Sequence, residues 1–504
     1  MAALPDSTIV GIVGAGTMGG GIAEVAARAG HRVRLVDAVP GAADTAIAKA
    51  RERLARSVAK GRLTEDAAPA IVSRLTAVDS VADLSACGLV VEAVVEDLEV
   101  KRALFAELET ACGAKTILAT NTSSLSVTDI AAGAAHPGRI AGMHFFNPAQ
   151  VLALVEIVAA AQTDPAIVDT LAETARAWGK TPVRCSSTPG FIVNRIARPF
   201  YGEAFRLLEA EIADPATIDA VLRDAGGFRM GPFELTDLVG QDVNAAVSRS
   251  VWEAFDRDPR FAPSSLQQSL VVAGRFGRKT GSGIYQDGDR PQPTTASPGP
   301  RPDKLVVSGS GDPLDALVER FSRGGVPSVR TTDAGPVRLR PAPGVAVRLT
   351  DGRRAADVSA DAGETTVLVD LALDYATATR LAVAAPVNAP AASVDAAVGC
   401  LQAAGLDVTV LPDTPGLVVA RTVAMLAALA ADAVDAGVAS APDVDTAMRL
   451  GVNYPRGPME WGDGLGWDWV THVLTALASV DDPRRYRVPD GVRRRAAAAE
   501  PARG

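Results

Sequence analysis

Residues 8–37 read TIVGIVGAGTMGGGIAEVAARAGHRVRLVD, and the rest of the chain is organised around this stretch. A short β-branched run ends at Gly14, the pattern G-x-G-x-x-G continues through Gly16 and Gly19, and an alanine-rich helical segment follows. A second apolar run then ends at Asp37. A glycine pattern alone could be a simple turn. The strand before it, the helix after it and the acidic residue at this spacing favour a dinucleotide-binding βαβ unit.

Each residue type in this stretch has a physical role beside a dinucleotide. Gly14 allows a tight turn, Gly16 lets the backbone approach a pyrophosphate, and Gly19 lets the helix pack closely on the strand. The free amides at the helix N-terminus attract the phosphate charge. Asp37 lies about 20 residues further on, where a carboxylate accepts hydrogen bonds from an adenosine ribose. Because Asp37 would repel a 2′-phosphate and no arginine follows it, the sequence favours NAD over NADP.

Length and composition set limits on the class of protein. A chain of 504 residues is too long for one core and predicts several domains. The net charge of −9 argues against nucleic-acid and membrane-surface partners. The four cysteines are scattered without metal-ligand spacing, which predicts buried, reduced thiols and no metal site. The first predicted strand begins within about eight residues of the N-terminus, so we expect no signal peptide and a cytoplasmic location.

Strands that alternate with helices predict a Rossmann-like α/β domain over residues 1–187. Ligands bind at the carboxyl ends of the strands in such sheets. Ser123 and His144 fall at two predicted strand ends, and Glu156 lies within the next short strand. We therefore expect these three side chains to lie near one another.

His144 is the candidate general base of this chain. A single histidine at a strand end is more commonly structural, but Glu156 and Ser123 at neighbouring positions change that interpretation. A histidine oriented by a carboxylate beside a nicotinamide is well suited to remove a proton during alcohol oxidation. The chain has three other histidines, which we interpret as structural: His31, His136 and His472.

The chain changes character after the α/β domain. Residues 188–286 have helical periodicity and predict an all-helical domain, and residues 287–302 are rich in proline and predict a linker. Residues 414–434 align without gaps on residues 188–208, and the same offset continues into GPMEWGD and GPFELTD. Such a shared offset indicates an internal duplication. Residues 303–412 are then a degenerate α/β domain without a proper glycine pattern, and residues 413–504 a second helical domain.

Several segments together resemble one enzyme family. They are GIVGAGTMGGGIAEVAARAGH, VVEAVVEDLEVKRALF, NTSSLSVTDIA, GMHFFNPAQVLALVEIV and STPGFIVNR. In this order they resemble the L-3-hydroxyacyl-CoA dehydrogenase family, and the resemblance covers residues 8–286. The run PVRCSSTPGFIVNRIARPFYGEAFRLLE is most similar to the long, duplicated members, the bacterial 3-hydroxyadipyl-CoA dehydrogenases of phenylacetate catabolism.

The resemblance implies a role for each candidate residue. His144 would remove the hydroxyl proton while hydride passes from C3 to NAD, and Glu156 would hold His144. Ser123 and Asn194 would complete the catalytic set and hydrogen-bond the reacting oxygen and the thioester. Lys60, on a helix whose basic face could equally be solvated, matches a lysine near coenzyme A. The implied cofactor-binding residues are Gly14, Ala15, Gly16, Thr17, Met18, Gly19, Asp37, Glu96, Lys101, Ser123 and Lys279.

Arg198 is a candidate for recognising the end of the acyl chain. Asn194 and Arg198 are four residues apart in a predicted helix and would share a face. If Asn194 reaches the reacting centre, Arg198 could bind the distal carboxylate of a dicarboxylyl-CoA by a charge-assisted hydrogen bond. The alternative is that Arg198 pairs with an acid on the surface.

The second half departs from the family pattern. Asn194 corresponds to Ala420, and RLAVAAPVNAP at 380–390 stands where RIAGMHFFNPA is expected, so that His144 would correspond to Ala385. We therefore expect an inactive copy with a structural role. In single-copy members the helical domains pair between chains, so a fused copy could form a pseudo-dimer within one chain, although a homodimer stays open.

Three functions remain possible from the sequence. The resemblance implies NAD-dependent oxidation of a (3S)-3-hydroxyacyl-CoA to a 3-oxoacyl-CoA, with 3-hydroxyadipyl-CoA as the favoured substrate. The nearest alternative is 3-hydroxybutyryl-CoA, in fatty-acid metabolism. The third is an NAD-binding structural protein of the kind found in lens crystallins, which the intact set of candidate catalytic residues disfavours.

Overall fold

The chain forms two compact units. The computed structural model describes residues 2–286, 289, 291–311, 313–333 and 335–499. The first unit consists of Met1–Arg195 and Ala433–Val452, and the second of Ile196–Asp432 and Asn453–Gly504. The first unit thus combines the N-terminal α/β segment with a short part of the second helical repeat. The domain boundaries drawn from the sequence stay a prediction, and residues 1, 287, 288, 290, 312, 334 and 500–504 within them lie outside the described residues.

The first unit is built on an eight-stranded sheet with the order β3-β2-β1-β4-β5-β6-β7-β8. Neighbouring strands are parallel except for the antiparallel pair β6 and β7. The strands are β1 Val10–Val13, β2 Val33–Val36, β3 Leu75–Ala77, β4 Leu89–Glu92, β5 Ile117–Thr120, β6 Ile140–Phe145, β7 Leu154–Ala159 and β8 Thr181–Ser186. The helices that follow them are α1 Thr17–Arg28, α2 Ala42–Ala59, α3 Ala67–Val72, α4 Leu98–Ala111, α5 Val127–Ala131, α6 Pro165–Ala177 and α7 Val193–Ile196.

The core of the first unit lies between this sheet and its helices. Val10, Ile12, Leu89 and Val91 are fully buried on the central strands and pack with Ile22 of α1. Parallel strands are covered on both faces, which is why they are near-continuous apolar runs in the sequence. The predicted Rossmann-like domain is therefore confirmed.

The second unit contains a seven-stranded mixed sheet with the order β10-β9-β11-β12-β13-β14-β15. Its strands are β9 Leu305–Ser308, β10 Ser328–Arg330, β11 Arg338–Ala342, β12 Val345–Leu349, β13 Thr365–Val369, β14 Arg380–Ala384 and β15 Asp407–Leu411. The helices from here to the C-terminus are α8 Arg198–Glu209, α9 Pro215–Asp224, α10 Pro232–Val239, α11 Gln241–Ala254, α12 Ser265–Val272, α13 Asp315–Arg323, α14 Ala355–Ala362, α15 Ala391–Ala403, α16 Val419–Asp435, α17 Ala441–Gly451, α18 Pro458–Leu465, α19 Trp467–Ala478 and α20 Asp490–Ala499. Of these, α17 belongs to the first unit.

The strand register corrects the predicted alignment of the two copies. β14 pairs parallel with β15 with Arg380 opposite Asp407, as β7 pairs with β8 with Leu154 opposite Thr181. Arg380 lies 226 residues after Leu154, the same offset as in the helical repeat. Residues 380–384 therefore correspond to β7, not to β6.

The counterpart of His144 is consequently Asp370, and the predicted match to Ala385 is wrong. His144 lies opposite Glu156 in the pair β6 and β7. The offset that relates the two copies places Asp370 at the position of His144 and Ala382 at the position of Glu156. These two residues are also paired, since the amide of Asp370 donates to the carbonyl of Ala382 at 2.9 Å. The second copy thus has Asp370 and Ala382 in place of the imidazole and its carboxylate. Residues 139–149 and 380–390 both begin with arginine and contain a proline near their end, and this local similarity produced the wrong alignment. The strand pairing gives the correct one.

The two helical repeats pack against each other within the second unit. The rings of Phe228 and Tyr454, which occupy equivalent positions, lie 5.1 Å apart. Arg206 of the first repeat donates to the hydroxyl of Tyr486 in the second. Asp432, the counterpart of Arg206, pairs at 3.0 Å with Arg260, the counterpart of Tyr486. Equivalent residues that meet each other, and reciprocal pairs beside them, are the pattern of a two-fold interface.

Residues 296–299 of the predicted linker are hydrogen-bonded to the second sheet and to the helix before its last strand. The amide of Ala296 donates to the carbonyl of Val408 at 2.7 Å, and the amide of Gly299 donates to Gln402 at 2.8 Å. The first acceptor is a backbone carbonyl and the second is Oε1 of the Gln402 side chain, and the composition of the linker reveals neither contact. The four cysteines are free and buried, as predicted. Within the part of the chain that the structure describes, no helix combines the length and apolar character needed to cross a membrane.

Candidate active site

The glycine turn at the start of α1 has the geometry that its sequence predicts. Gly14 has a φ of +99°, and a Cβ there would lie 2.5 Å from the carbonyl oxygen of Ala93. A Cβ on Gly19 would lie 1.8 Å from the carbonyl oxygen of Gly14, so the helix approaches the strand as closely as glycine allows. A Cβ on Gly16 would meet no atom within 4 Å. The backbone at Gly16 is therefore open to a phosphate group at the helix N-terminus.

Asp37 is fixed beside this turn. Its Oδ2 accepts the amide of Ala15 at 2.6 Å, and its Oδ1 accepts the amide of Val39 at 2.8 Å. A cavity of about 770 Å³ opens between the turn and the ends of β2 and β4. The sequence did not single out Asp79 and Val94, which also line this cavity. The cavity and its carboxylate have the size and chemistry to hold the adenosine half of a dinucleotide.

His144 and Glu156 form a buried hydrogen-bonded pair. They are directly opposite in the antiparallel pair β6 and β7, and Nδ1 of His144 lies 2.7 Å from Oε2 of Glu156. His144 is 5% exposed and Glu156 is fully buried. The other carboxylate oxygen, Oε1, accepts the amides of Ile192 at 3.1 Å and Val193 at 3.0 Å. Glu156 therefore fixes the imidazole ring and leaves Nε2 as the nitrogen to exchange a proton.

A strained turn before α7 aims these amides at Glu156. Phe191 has a φ of +48° and its counterpart in the second copy, Leu417, has a φ of +47°. This left-handed conformation is uncommon for a residue other than glycine. The one sign of this turn in the sequence is that the segment TPGFIVNR returns in the second copy as TPGLVVAR.

Ser123 and Asn194 are joined to this pair through the backbone. Nδ2 of Asn194 donates to the carbonyl oxygen of Ser123 at 3.2 Å, and Asn194 follows Val193, whose amide binds Glu156. Oδ1 of Asn121 accepts the amide of Phe145 at 2.8 Å and so ties the end of β5 to the end of β6. The structure thus connects the four predicted catalytic residues in one network.

Glu96 holds the loop that carries Ser123. Its Oε1 accepts the amides of Ser123 and Ser124 at 2.9 and 3.0 Å and the hydroxyl of Thr122 at 2.7 Å. Burial alone would raise the pKa of Glu96. The hydroxyl of Thr122 and the ammonium group of Lys101 outweigh burial and lower this pKa below its usual value. Glu96 is therefore held as a carboxylate beside the predicted catalytic serine.

Lys101 lies beneath this loop and is 1% exposed. Its Nζ is 2.5 Å from Oε1 of Glu92 and 3.4 Å from Oε2 of Glu96. Glu92 also accepts the hydroxyl of Thr120 at 2.6 Å. The sequence predicted Lys101 as a cofactor contact and did not find Glu92, because an acid inside an apolar run gives no sign of a buried partner. The contacts of Lys101 are those of a residue that positions Glu96.

Three further predicted residues belong to other elements of the chain. Lys60 is exposed at the end of α2. Lys279 belongs to the second unit, where its Nζ is 2.6 Å from Asp242. Arg198 also belongs to the second unit, and Ala197 interrupts the single helix that the sequence predicted for Asn194 and Arg198.

Arg198 is buried in the second unit and not on its surface. It is 7% exposed, donates to Oγ of Ser248 at 3.0 Å and lies over the ring of Tyr201. Burial lowers the pKa of Arg198, and Tyr201 and Tyr454 oppose that shift. The surface position that the alternative gave to Arg198 is therefore wrong, whereas a contact with substrate stays a prediction.

Family models match most of the chain. Residues 9–188 match the NAD-binding domain of 3-hydroxyacyl-CoA dehydrogenase, and residues 190–287 and 416–503 both match its C-terminal domain. The chain belongs to the 3-hydroxyacyl-CoA dehydrogenase family. Residues 347–415 match the reduced Rossmann-fold domain of 3-hydroxybutyryl-CoA dehydrogenase. The predicted family, duplication and degenerate second α/β domain are confirmed.

Individual members of this family are similar over the whole chain or its first half. A 3-hydroxyadipyl-CoA dehydrogenase of Escherichia coli K12 is 45% identical over 494 residues, 97% of each chain. A mitochondrial hydroxyacyl-coenzyme A dehydrogenase of Sus scrofa is 39% identical over 55% of this chain and 90% of its own. The crystal structure of a 3-hydroxybutyryl-CoA dehydrogenase from Escherichia coli K12 has a TM-score of 0.89 and 42% identity, covering 99% of this chain and 100% of that one. This 3-hydroxyacyl-CoA dehydrogenase is thus an NAD-dependent enzyme.

The carboxylate of Asp37 should decide the choice of dinucleotide. If Asp37 binds the adenosine ribose, as the sequence predicts, Asp37→Ala removes that acceptor and the repulsion of a 2′-phosphate, so we expect KM for NAD to rise about tenfold and activity with NADP to increase. Steady-state kinetics with both dinucleotides measure the change. Asp79→Ala, at the same cavity, is the control and should not improve NADP use. An unchanged ratio of kcat/KM for the two dinucleotides in Asp37→Ala would contradict this role.

Proposed function

We propose that this enzyme oxidises (3S)-3-hydroxyadipyl-CoA to 3-oxoadipyl-CoA with NAD, in the cytoplasm and as a step of phenylacetate catabolism. The choice of substrate is supported by the 45% identity to the Escherichia coli 3-hydroxyadipyl-CoA dehydrogenase, which extends over both copies of the duplicated chain. The proposed reaction is supported by the buried, hydrogen-bonded pair His144 and Glu156.

His144 acts as the general base in this proposal. Bound NAD supplies the hydride acceptor. Nε2 of His144 takes the proton from the 3-hydroxyl group, while Nδ1 stays hydrogen-bonded to Glu156. The carboxylate of Glu156 offsets the positive charge that the ring gains, and the amides of Ile192 and Val193 keep that carboxylate in place. Proton removal and charge stabilisation are thus supplied by groups that need no rearrangement.

Ser123 and Asn194 orient the substrate in this proposal. A hydroxyl and a side-chain amide can both donate to the reacting oxygen and to the thioester carbonyl. The amide of Ser123 donates to Glu96 and its carbonyl oxygen accepts Nδ2 of Asn194, and these two hydrogen bonds fix the loop from which Ser123 acts. Glu96, Lys101 and Lys279 are proposed to act near the cofactor, and Lys60 near coenzyme A.

The second candidate substrate is 3-hydroxybutyryl-CoA. It is favoured by the similarity to the Escherichia coli structure named as a 3-hydroxybutyryl-CoA dehydrogenase, which also covers the whole chain. Values of kcat/KM for both thioesters, measured by NADH absorbance, separate the two. A preference for the butyryl compound would overturn the proposed substrate but not the reaction.

Arg198 should distinguish the two acyl chains. If it binds the distal carboxylate, Arg198→Leu should lower kcat/KM for 3-hydroxyadipyl-CoA at least about tenfold, because a charge-assisted hydrogen bond is lost. The value for 3-hydroxybutyryl-CoA should change little. Ser248→Ala removes one neutral partner of Arg198 and keeps the charge, and so controls for local packing. An equal loss on both thioesters would remove Arg198 from substrate recognition.

The second copy is proposed to supply, within one chain, the interface that helical domains of single-copy members form between chains. The support is the reciprocal packing in the second unit, where Phe228 meets Tyr454 and Arg260 meets Asp432. Asp370 fits a structural role for this copy. Its carboxylate accepts the amides of Val418 and Ala420. These hydrogen bonds favour the charged carboxylate, but burial outweighs them and raises the pKa of Asp370 to about 6.

A further inference from the structure

One helix of the degenerate copy lies in the compact unit that holds His144. This helix, α17, packs against β7 and β8, the last two strands of the first sheet. The amide of Ser186 in β8 donates to the carbonyl of Val438, just before α17, at 2.9 Å. An element from the second half of the chain therefore covers the sheet edge beside the candidate active site.

Gly451, the last residue of α17, makes the closest approach. A Cβ on Gly451 would lie 2.7 Å from Cδ2 of Leu154 and 3.0 Å from Cγ2 of Val193. Val193 is 2% exposed and β-branched, so its side chain has little freedom to move away. The counterpart of Gly451 in the first copy is Ala225, which carries the methyl group that has no room here. The missing side chain is thus specific to the helix beside His144.

Two hydrogen bonds connect this contact to the general base. The amide of Val193 donates to Oε1 of Glu156 at 3.0 Å, and Oε2 of Glu156 binds Nδ1 of His144 at 2.7 Å. Leu154, the other side chain against Gly451, lies in β7 two residues before Glu156. One neighbour of Gly451 is therefore hydrogen-bonded to Glu156, and the other lies two residues from Glu156 on the same strand.

We propose that α17 of the degenerate copy positions the His144–Glu156 pair through the contact of Gly451 with Val193 and Leu154. Gly451 is a positioning residue, because it touches no reacting atom. The proposal rests on the proposed function of His144 and gives the second copy a part in catalysis besides its packing role. It explains why a copy that has lost its own base carries glycine at this position.

The test introduces one methyl group in the full-length chain. In Gly451→Ala both Leu154 and the stiff Val193 must shift, and we expect kcat to fall about tenfold because Glu156 no longer holds the ring in place. KM for NAD should change less than about twofold, since the glycine turn lies at β1, far along the sheet from β7. Gly464→Ala is the matched control. It adds the same group to another helix of the second copy, where the nearest atom is Nη1 of Arg456 at 3.7 Å.

Rescue separates positioning from general damage. Removing the opposing methyl groups in the double variant Gly451→Ala/Val193→Ala should restore part of kcat. If Gly451→Ala does not fold, Val193→Ala alone loosens the same contact and should lower kcat without raising KM for NAD.

Wild-type kcat in Gly451→Ala, with or without a lower melting temperature, would overturn the inference. Parallel losses of kcat and NAD affinity would also overturn it. A wild-type chain inactive on both thioesters would refute the proposed function instead.

Discussion

Glu156→Gln should lower kcat about a thousandfold while the protein stays folded and binds NAD normally. Glutamine has the shape of glutamate, and its amide oxygen can still accept the amides of Ile192 and Val193. The side-chain NH2 group must then face Nδ1 of His144, where Oε2 stands now. An amide NH2 group only donates, so Nδ1 must become the acceptor. The ring proton moves to Nε2, which then cannot take the proton of the substrate.

Steady-state kinetics and NAD binding by fluorescence check this result. His144→Ala, which has no base at all, sets the floor for kcat, and the glutamine variant should come close to it. Glu173→Gln is the matched control, because Glu173 is an acid on α6 of the same unit and pairs with Arg176 at the surface. A glutamine variant that keeps more than about a tenth of wild-type kcat would show that Glu156 does not set the tautomer of His144.

The sequence was sufficient for the pair at the centre of this prediction. His144 ends an apolar run and Glu156 lies within the next, and strand ends are where such sheets bind ligands. The sequence could not show that the two strands are antiparallel with these residues directly opposite. It also could not show that Ile192 and Val193 aim their amides at the carboxylate, because that depends on the left-handed conformation of Phe191.

Contacts between residues of different elements were the part that the sequence could not predict. Glu92 and Lys101 are separated by a loop and a helical turn, and neither residue type indicates a buried partner by itself. Gly451 reaches Val193 from the other copy of the duplicated chain. The wrong match of His144 to Ala385 has the same origin, since short apolar strands resemble each other and only their pairing identifies them.

The second large effect is expected at Glu203, which joins the two helical repeats. Glu203 is fully buried on α8 of the first repeat. Its Oε1 accepts Nη2 of Arg485 at 2.9 Å, and its Oε2 accepts the hydroxyl of Tyr486 at 2.9 Å and pairs with Nε of Arg421 at 3.2 Å. All three partners belong to the second repeat. The counterpart of Glu203 there is Leu429, so this carboxylate is present once and holds the two copies together.

Glu203→Gln should lower the free energy of unfolding of the second unit by about 3–5 kcal/mol, because two buried guanidinium groups lose their counter-charge. Urea unfolding followed by tryptophan fluorescence measures this change. Asp482→Asn breaks an exposed ion pair with Arg484 on the same repeat and should have no measurable effect.

The pH dependence gives a second measure of the same interaction. Burial would raise the pKa of Glu203, but Arg485 and Arg421 outweigh it and lower this pKa below the usual 4.5. A lowered pKa in the folded state means that the stabilisation is complete above pH 4.5 and is lost as the pH falls through the folded-state value. The difference in stability between the wild-type chain and Glu203→Gln should therefore be constant near neutral pH and shrink below pH 4.5. If the variant were as stable as the wild-type chain at neutral pH, the carboxylate would not hold the repeats together. The pseudo-dimer would then depend on its aromatic contacts alone.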